Sequence, residues 1–98
     1  MNRYVLRLYV AGNTPRSERA VANLRRLCSD VLRNGCEVEV IDVLEQPHRA
    51  EEDRVLATPT VIRRVPGPER RVVGDLSDSE RVLSGLDVRP LPGQDHSA

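Results

Sequence analysis

The stretch Ala57-Thr58-Pro59-Thr60-Val61-Ile62 constrains this chain more than any other. Pro59 has no N–H to give a sheet ladder, and its ring pushes Thr58 toward extended backbone, so a strand must begin just after it. Two readings of the Thr58-Pro59 bond follow. Base rates favour an ordinary trans proline ending the preceding segment, because only about 5–6% of X-Pro bonds in folded proteins are cis. The order of the flanking elements favours a deliberate cis bond at a strand entrance.

That order is read from local signals. Residues 4–10 (YVLRLYV) are nearly all apolar or aromatic, which suits a central strand covered on both faces. Ala11-Gly12-Asn13-Thr14-Pro15 is turn chemistry ending in Thr14 as N-cap and Pro15 at the first helical position. The helix that follows has a buried stripe of Ala20, Val21, Leu24, Leu27, Cys28, Val31 and Leu32, with Glu18 near its positive end and Arg33 near its negative end. Asn34-Gly35 is read as its left-handed stop. A strand over 38–43 is expected to lie parallel to the first, and a connection with Pro47 leads to a short, weakly specified helix over 50–56. Strands over 60–65 and 70–74 flank the turn 66–69 and form an antiparallel hairpin. Ser77-Asp78-Ser79-Glu80 is a capping box opening a last helix with Val82, Leu83 and Leu86 on its apolar face. Residues 89–98 carry no periodicity and are expected to be a disordered tail, leaving one domain over 1–88.

Composition excludes whole classes. The 98 residues have zero formal net charge, and all fifteen basic residues are Arg. Neither half carries a basic stripe, which argues against a nucleic-acid partner. The N-terminus has no apolar core of a signal peptide, and no run is long enough to span a bilayer, so a cytoplasmic protein without a membrane partner is expected. Cys28 and Cys36 match neither Cys-x-x-Cys nor a zinc spacing, and are read as a core thiol on a helix face and an incidental thiol near a strand start. His48 and His96 stand alone and are expected in solvent. Glu51, Glu52 and Asp53 are read as a helix-start dipole complement facing water. With no glycine-rich phosphate loop, no cofactor and no metal are expected.

The predicted order β-α-β-α-β-β-α is that of thioredoxin-like folds, which place a cis-proline at the entrance of the third strand. Leu8-Tyr9-Val10-Ala11-Gly12-Asn13-Thr14-Pro15, Val40-Ile41-Asp42-Val43-Leu44, Ala50-Glu51-Glu52-Asp53, Ala57-Thr58-Pro59-Thr60 and Gly74-Asp75-Leu76-Ser77-Asp78 together resemble the KaiB family of circadian clock proteins. The resemblance spans residues 4–88. It implies a non-catalytic regulator that binds the N-terminal ATPase ring of the hexameric clock kinase KaiC. There it modulates the kinase's phosphorylation and ATPase cycle, sequestering KaiA or competing with the sensor domain of the histidine kinase SasA, in a circadian rhythm or in stress timing. It also implies a second fold of the same sequence, βαββααβ, in a resting homo-oligomer (dimer or tetramer). The chain departs from the cyanobacterial pattern in its tail, where residues 89–98 (RPLPGQDHSA) replace the acidic, aromatic-containing tail of those relatives, and in having Arg for Lys. The tail puts the tetramer in doubt, and the arginines suggest a GC-rich genome.

Enzyme chemistry is weighed separately. A thioredoxin-type oxidoreductase needs a low-pKa thiolate at the N-terminus of the first helix. This chain has Asn13-Thr14-Pro15-Arg16 there, so no catalytic residue is assigned. The alternatives are a thioredoxin-fold enzyme binding a thiol peptide beside Pro59, and a stand-alone SasA-like sensor module. Asn13, Thr14, Pro15 and Arg16, with Arg63, Arg64, Arg70 and Arg71 on the hairpin, are the candidate partner-binding residues. Alternation should expose at least one of each arginine pair, and edge-strand protection explains such charges equally well. Thr58, Pro59, Pro66, Pro68, Gly85 and Asp87 are the candidate switching positions, the prolines because X-Pro bonds isomerise slowly and Gly85 and Asp87 because they are placed at a helix end.

Overall fold

Residues 4–33 and 35–89 are described by a computed structural model of the chain. The elements are β1 Tyr4–Val10, α1 Pro15–Asp30, β2 Cys36–Asp42, α2 Pro47–Glu52, β3 Thr60–Val65, β4 Arg70–Val73 and α3 Ser79–Leu86. This is the expected βαβαββα order, and the sheet runs β2-β1-β3-β4 with β1 inside it. β1 pairs parallel with β2, and antiparallel with β3, which in turn pairs antiparallel with β4.

The two faces of the sheet differ. Leu6 and Leu8 of β1, Val61 of β3 and Val72 of β4 form the main core with Ala20, Leu24 and Leu27 of α1 and Val82 and Leu86 of α3. On the opposite face Tyr9, Ile41 and Ile62 make a smaller cluster covered by Val43, Ala50 and Val55 around α2. Alternation along β1 explains the division, since successive side chains point to opposite sides.

Helix ends show where local signals were followed and where they were not. Thr14 caps α1 as expected, accepting from the Ser17 N–H at 3.1 Å, with Pro15 in the first turn. The helix stops at Asp30, so Val31, Leu32 and Arg33 lie beyond it, although Leu32 is still fully buried. Arg33, read as a charge on the last turn, instead takes the left-handed conformation at φ 54°. Asn34, half of the expected stop, lies outside the described residues. α2 begins at Pro47 rather than at residue 50, because a proline in the first turn sacrifices no intrahelical bond. It ends at Glu52 with Asp53 as its C-cap, after which Arg54 sits at φ 56°. α3 is capped by Asp78, one residue later than Ser77, with the Arg81 N–H donating to Asp78 Oδ1 at 3.2 Å.

β3 begins at Thr60 directly after Pro59, and the Thr58-Pro59 bond is cis, as are Val65-Pro66 and Gly67-Pro68. Gly85 is not the helix stop. It lies inside α3, where a Cβ would clash with Val72 Cγ2, and the left-handed residue is Asp87 at φ 53°. Of the expected tail only Arg89 is described; its N–H donates to Tyr4 Oη at 3.3 Å, and residues 90–98 lie outside the described residues. Cys28 and Cys36, expected as two separate thiols, are joined in a disulfide between the last turn of α1 and the first residue of β2.

Candidate functional site

Register decides where the candidate arginines lie. Ile62 and Arg71 stand beside Arg7 on the α2 face, while Arg63 and Arg70 stand beside Leu6 on the core face. Arg63 is 3% exposed. Its Nε donates to the Leu86 carbonyl at 2.6 Å and its Nη1 to the Pro66 carbonyl, so it binds the end of α3 to the hairpin turn. In this fold its side chain is turned into the protein rather than toward solvent. Arg64 is half-buried, and its Nη1 donates to Asp53 Oδ1 and pairs with Glu69, at 2.9 and 2.7 Å. Arg70 is exposed, and Arg71 reaches back to donate to the Asp53 and Arg54 carbonyls at 2.8 and 3.2 Å. That guanidinium satisfies carbonyls left over at the end of α2.

The turn at 13–16 is exposed and starts α1 just past the end of β1. Gly12 opens the turn at φ +73°, and its N–H donates to Asp42 Oδ1 at 3.0 Å while the Leu44 N–H takes the same oxygen at 2.9 Å. Beside it runs an open groove of about 560 Å³ between α1 and the sheet-edge strand β2, floored by Val10 and Val40. The turn and the arginines do not come together, since the arginines lie beside the middle of β1 and the turn lies past its C-terminal end. They form two separate surfaces.

Between these surfaces is a polar cluster that inspection of the sequence missed. Asp53, expected in water, has a carboxylate only 10% exposed. Its Oδ2 accepts from Tyr9 Oη at 2.5 Å and from Arg7 Nη1 at 2.9 Å, and its Oδ1 accepts from Arg64. Tyr9 Oη also lies 3.1 Å from the Arg49 carbonyl. Glu39 accepts from Arg7 Nε at 3.1 Å and from Arg49 Nη1 at 2.9 Å. Burial raises the Asp53 pKa, but hydrogen bonds from Tyr9 and Arg7 and the charges of Arg64 and Arg7 outweigh it, and the net direction is down. Burial and the hydrogen bond to Asp53 push the Tyr9 phenol up. The Arg49 hydrogen bond holds Glu39 below its ordinary value. These groups are held in one protonation state near neutral pH, which suits anchoring better than proton transfer. The signal available in sequence was only that Asp53 follows two exposed acids, Glu51 and Glu52.

Two large apolar side chains stand in solvent beside α2: Leu44 is 71% exposed and Leu56 is 97% exposed. Leu56 borders a hollow of about 300 Å³ with Val43, Pro47, Ala50 and Val55. Exposed apolar groups of this size are a feature of contact surfaces. Among the described residues no helix is long and apolar enough to cross a membrane, and no three His, Cys, Asp or Glu side chains group as metal ligands would.

Residues 7–88 match the family model described as the KaiB domain. The chain is 53% identical over 90 residues to circadian clock protein KaiB3 of Synechocystis, covering 92% of this chain and 88% of the relative. It is 54% identical over 85 residues to the circadian clock oscillator protein KaiB of a Prochlorococcus marinus strain, covering 87% and 81%. Among solved structures, the N-terminal domain of Synechococcus elongatus SasA superimposes with a TM-score of 0.68 at 22% identity over 86% of each chain. Mitochondrial thioredoxin 3 of Saccharomyces cerevisiae does so with a TM-score of 0.70 at 19% identity, over 89% of this chain and 79% of the thioredoxin. At these identities the two structures speak for the fold, which is thioredoxin-like.

Proposed function

The chain belongs to the KaiB family, and from that premise we propose that it is a non-catalytic clock regulator that docks on the N-terminal ATPase ring of a KaiC-type kinase. Its effect on the kinase's phosphorylation and ATPase cycle comes from displacing or sequestering other regulators, of the KaiA or SasA-like kind. The observation that carries the non-catalytic part is positional. Where a thioredoxin-type enzyme needs its thiolate, at the start of α1, this chain has the exposed Asn13-Thr14-Pro15-Arg16 turn, and its two cysteines sit at the other end of that helix.

Docking uses the thioredoxin-like arrangement. The exposed Arg70 and Arg71, the 13–16 turn and the apolar pair Leu44 and Leu56 supply the contacts, with Arg63 and Arg64 acting from inside the fold. In the resting state the part of the chain beyond about residue 50 takes the alternative βαββααβ pairing in a homo-oligomer. α2 suits such a rearrangement, because it has no buried residue and is held largely by the Asp53 cluster.

The test is a titration of the chain against a hexameric KaiC-type ATPase, followed by light scattering on a sizing column at increasing salt. A complex that weakens as salt rises, and that Arg70→Glu with Arg71→Glu weakens further, is expected. Absence of any complex, or one indifferent to both salt and these reversals, would overturn the reading. Amide NMR of the free chain decides the two-state part: one set of thioredoxin-like resonances without exchange rules it out.

A further inference from the structure

Cys28 is in the last turn of α1 and Cys36 is the first residue of β2, with Cα atoms 6.1 Å apart, inside the range that a disulfide spans. α1 continues past Cys28 to Asp30, and beyond it Arg33 takes the left-handed conformation. The helix and strand do not depend on the bond for their core, because Leu24, Leu27 and Leu32 already bury that end of α1. Both sulfur-bearing residues are 8% exposed, yet they line an open cavity of about 260 Å³ with Arg25 and Val38. A small thiol can therefore reach the sulfurs. Arg25, which also lines the cavity, brings a positive charge that attracts an anionic thiol or disulfide.

We propose that Cys28 and Cys36 form a reversible thiol–disulfide switch whose redox partner is a low-molecular-weight disulfide of the glutathione class. In oxidation, the thiolate of one cysteine attacks the small disulfide and releases one small thiol. The thiolate of the second cysteine then attacks the mixed disulfide and releases the other. Two electrons pass to the small disulfide, the two cysteine protons leave on the two small thiols, and reduction reverses both steps. The closed bond fixes the turn between α1 and β2 and the start of the sheet-edge strand, and the open dithiol frees them. This holds whether or not the chain docks on a kinase ring.

The experiment uses the full chain, reduced with dithiothreitol, desalted, and equilibrated with glutathione at graded reduced-to-oxidised ratios. Thiol titration and intact mass are read at each ratio, with thermal unfolding and amide hydrogen exchange at the two extremes. Both thiols should disappear together with a mass loss of two hydrogens, and return under excess reduced glutathione. The oxidised form should melt higher by about 10 °C, as a short closed loop predicts, with exchange slowed around residues 29–38. Cys28→Ser should instead retain a glutathione adduct on Cys36. Two thiols that persist under oxidised glutathione, a wild-type chain that keeps the adduct, a bond that reduced glutathione never opens in the folded chain, or equal melting of both forms would each overturn the switch. The wild-type measurements decide the matter even if the serine variant fails to fold.

Discussion

Tyr9 and Asp53, forty-four positions apart, meet at 2.5 Å, and their hydrogen bond ties α2 to the central strand. The carboxylate also receives Arg7 and Arg64, so its loss leaves a buried phenol and two guanidinium groups short of a partner. Asp53→Asn should therefore lower unfolding free energy by about 2 kcal/mol at pH 7, below the full value of a buried pair because both arginines are partly solvated. A shift of the urea midpoint checks this.

The same carboxylate sets an acid limb. Its folded pKa is depressed, so its contribution is present above the ordinary carboxylate range and is lost as pH falls through the folded value. Glu39, also lowered, acts in the same direction. Unfolding free energy of the wild type should fall steeply on acidification, and Asp53→Asn should flatten that slope. Parallel slopes in the two proteins would show that Asp53 is not responsible.

Tyr9→Phe tests the other end of the contact. Removing the hydroxyl should cost about 1 kcal/mol at neutral pH. Because the Tyr9 phenol is raised, its contribution is complete below the ordinary tyrosine value of about 10 and disappears as pH rises through the folded value. An ultraviolet titration of the folded protein should lose its late-ionising phenol in Tyr9→Phe.

Arg63 and Arg70 are paired across β3 and β4 but should behave oppositely. Arg63→Ala, which strips two carbonyls of their buried donor, should cost about 3 kcal/mol, whereas Arg70→Ala should stay within about 0.5 kcal/mol. Thermal denaturation of the two variants separates them before any binding is measured.

At the end of α3 the two candidate switching positions also diverge. Asp87→Gly removes the side-chain penalty of a left-handed residue and should stabilise the thioredoxin-like fold by about 1 kcal/mol. Gly85→Ala gains helix propensity but drives a methyl group into Val72, and should destabilise this fold by about 1 kcal/mol net. Melting temperatures that move in opposite directions are expected.

Much of the fold was legible because its signals are local: the β-branched run after Pro59, the Thr14-Pro15 cap, and the alternation of β1. α2 was shifted because Pro47 reads equally as a connection or as a first helical turn, and its end depends on the left-handed turn at Arg54 and the Arg71 contacts made there. The cluster around Asp53 draws on β1, β2, α2 and β3, and its membership depends on strand register. Alternation placed Arg63 and Arg64 on opposite faces without telling which face was the core. For Cys28 and Cys36, no spacing rule gives the distance across a turn containing a left-handed arginine.

The position of β1 inside the sheet has a consequence for how the protein is made. A ribosome delivers β1, α1 and β2 before β3 exists, and β2 can cover only one side of β1. Until residues 60–65 emerge, the nascent chain carries an open apolar strand edge at Leu6, Leu8 and Tyr9, all of them completely buried in the finished fold. Stalled or truncated products ending before Thr60 are thus the species that chaperones and proteases must deal with, rather than the finished protein.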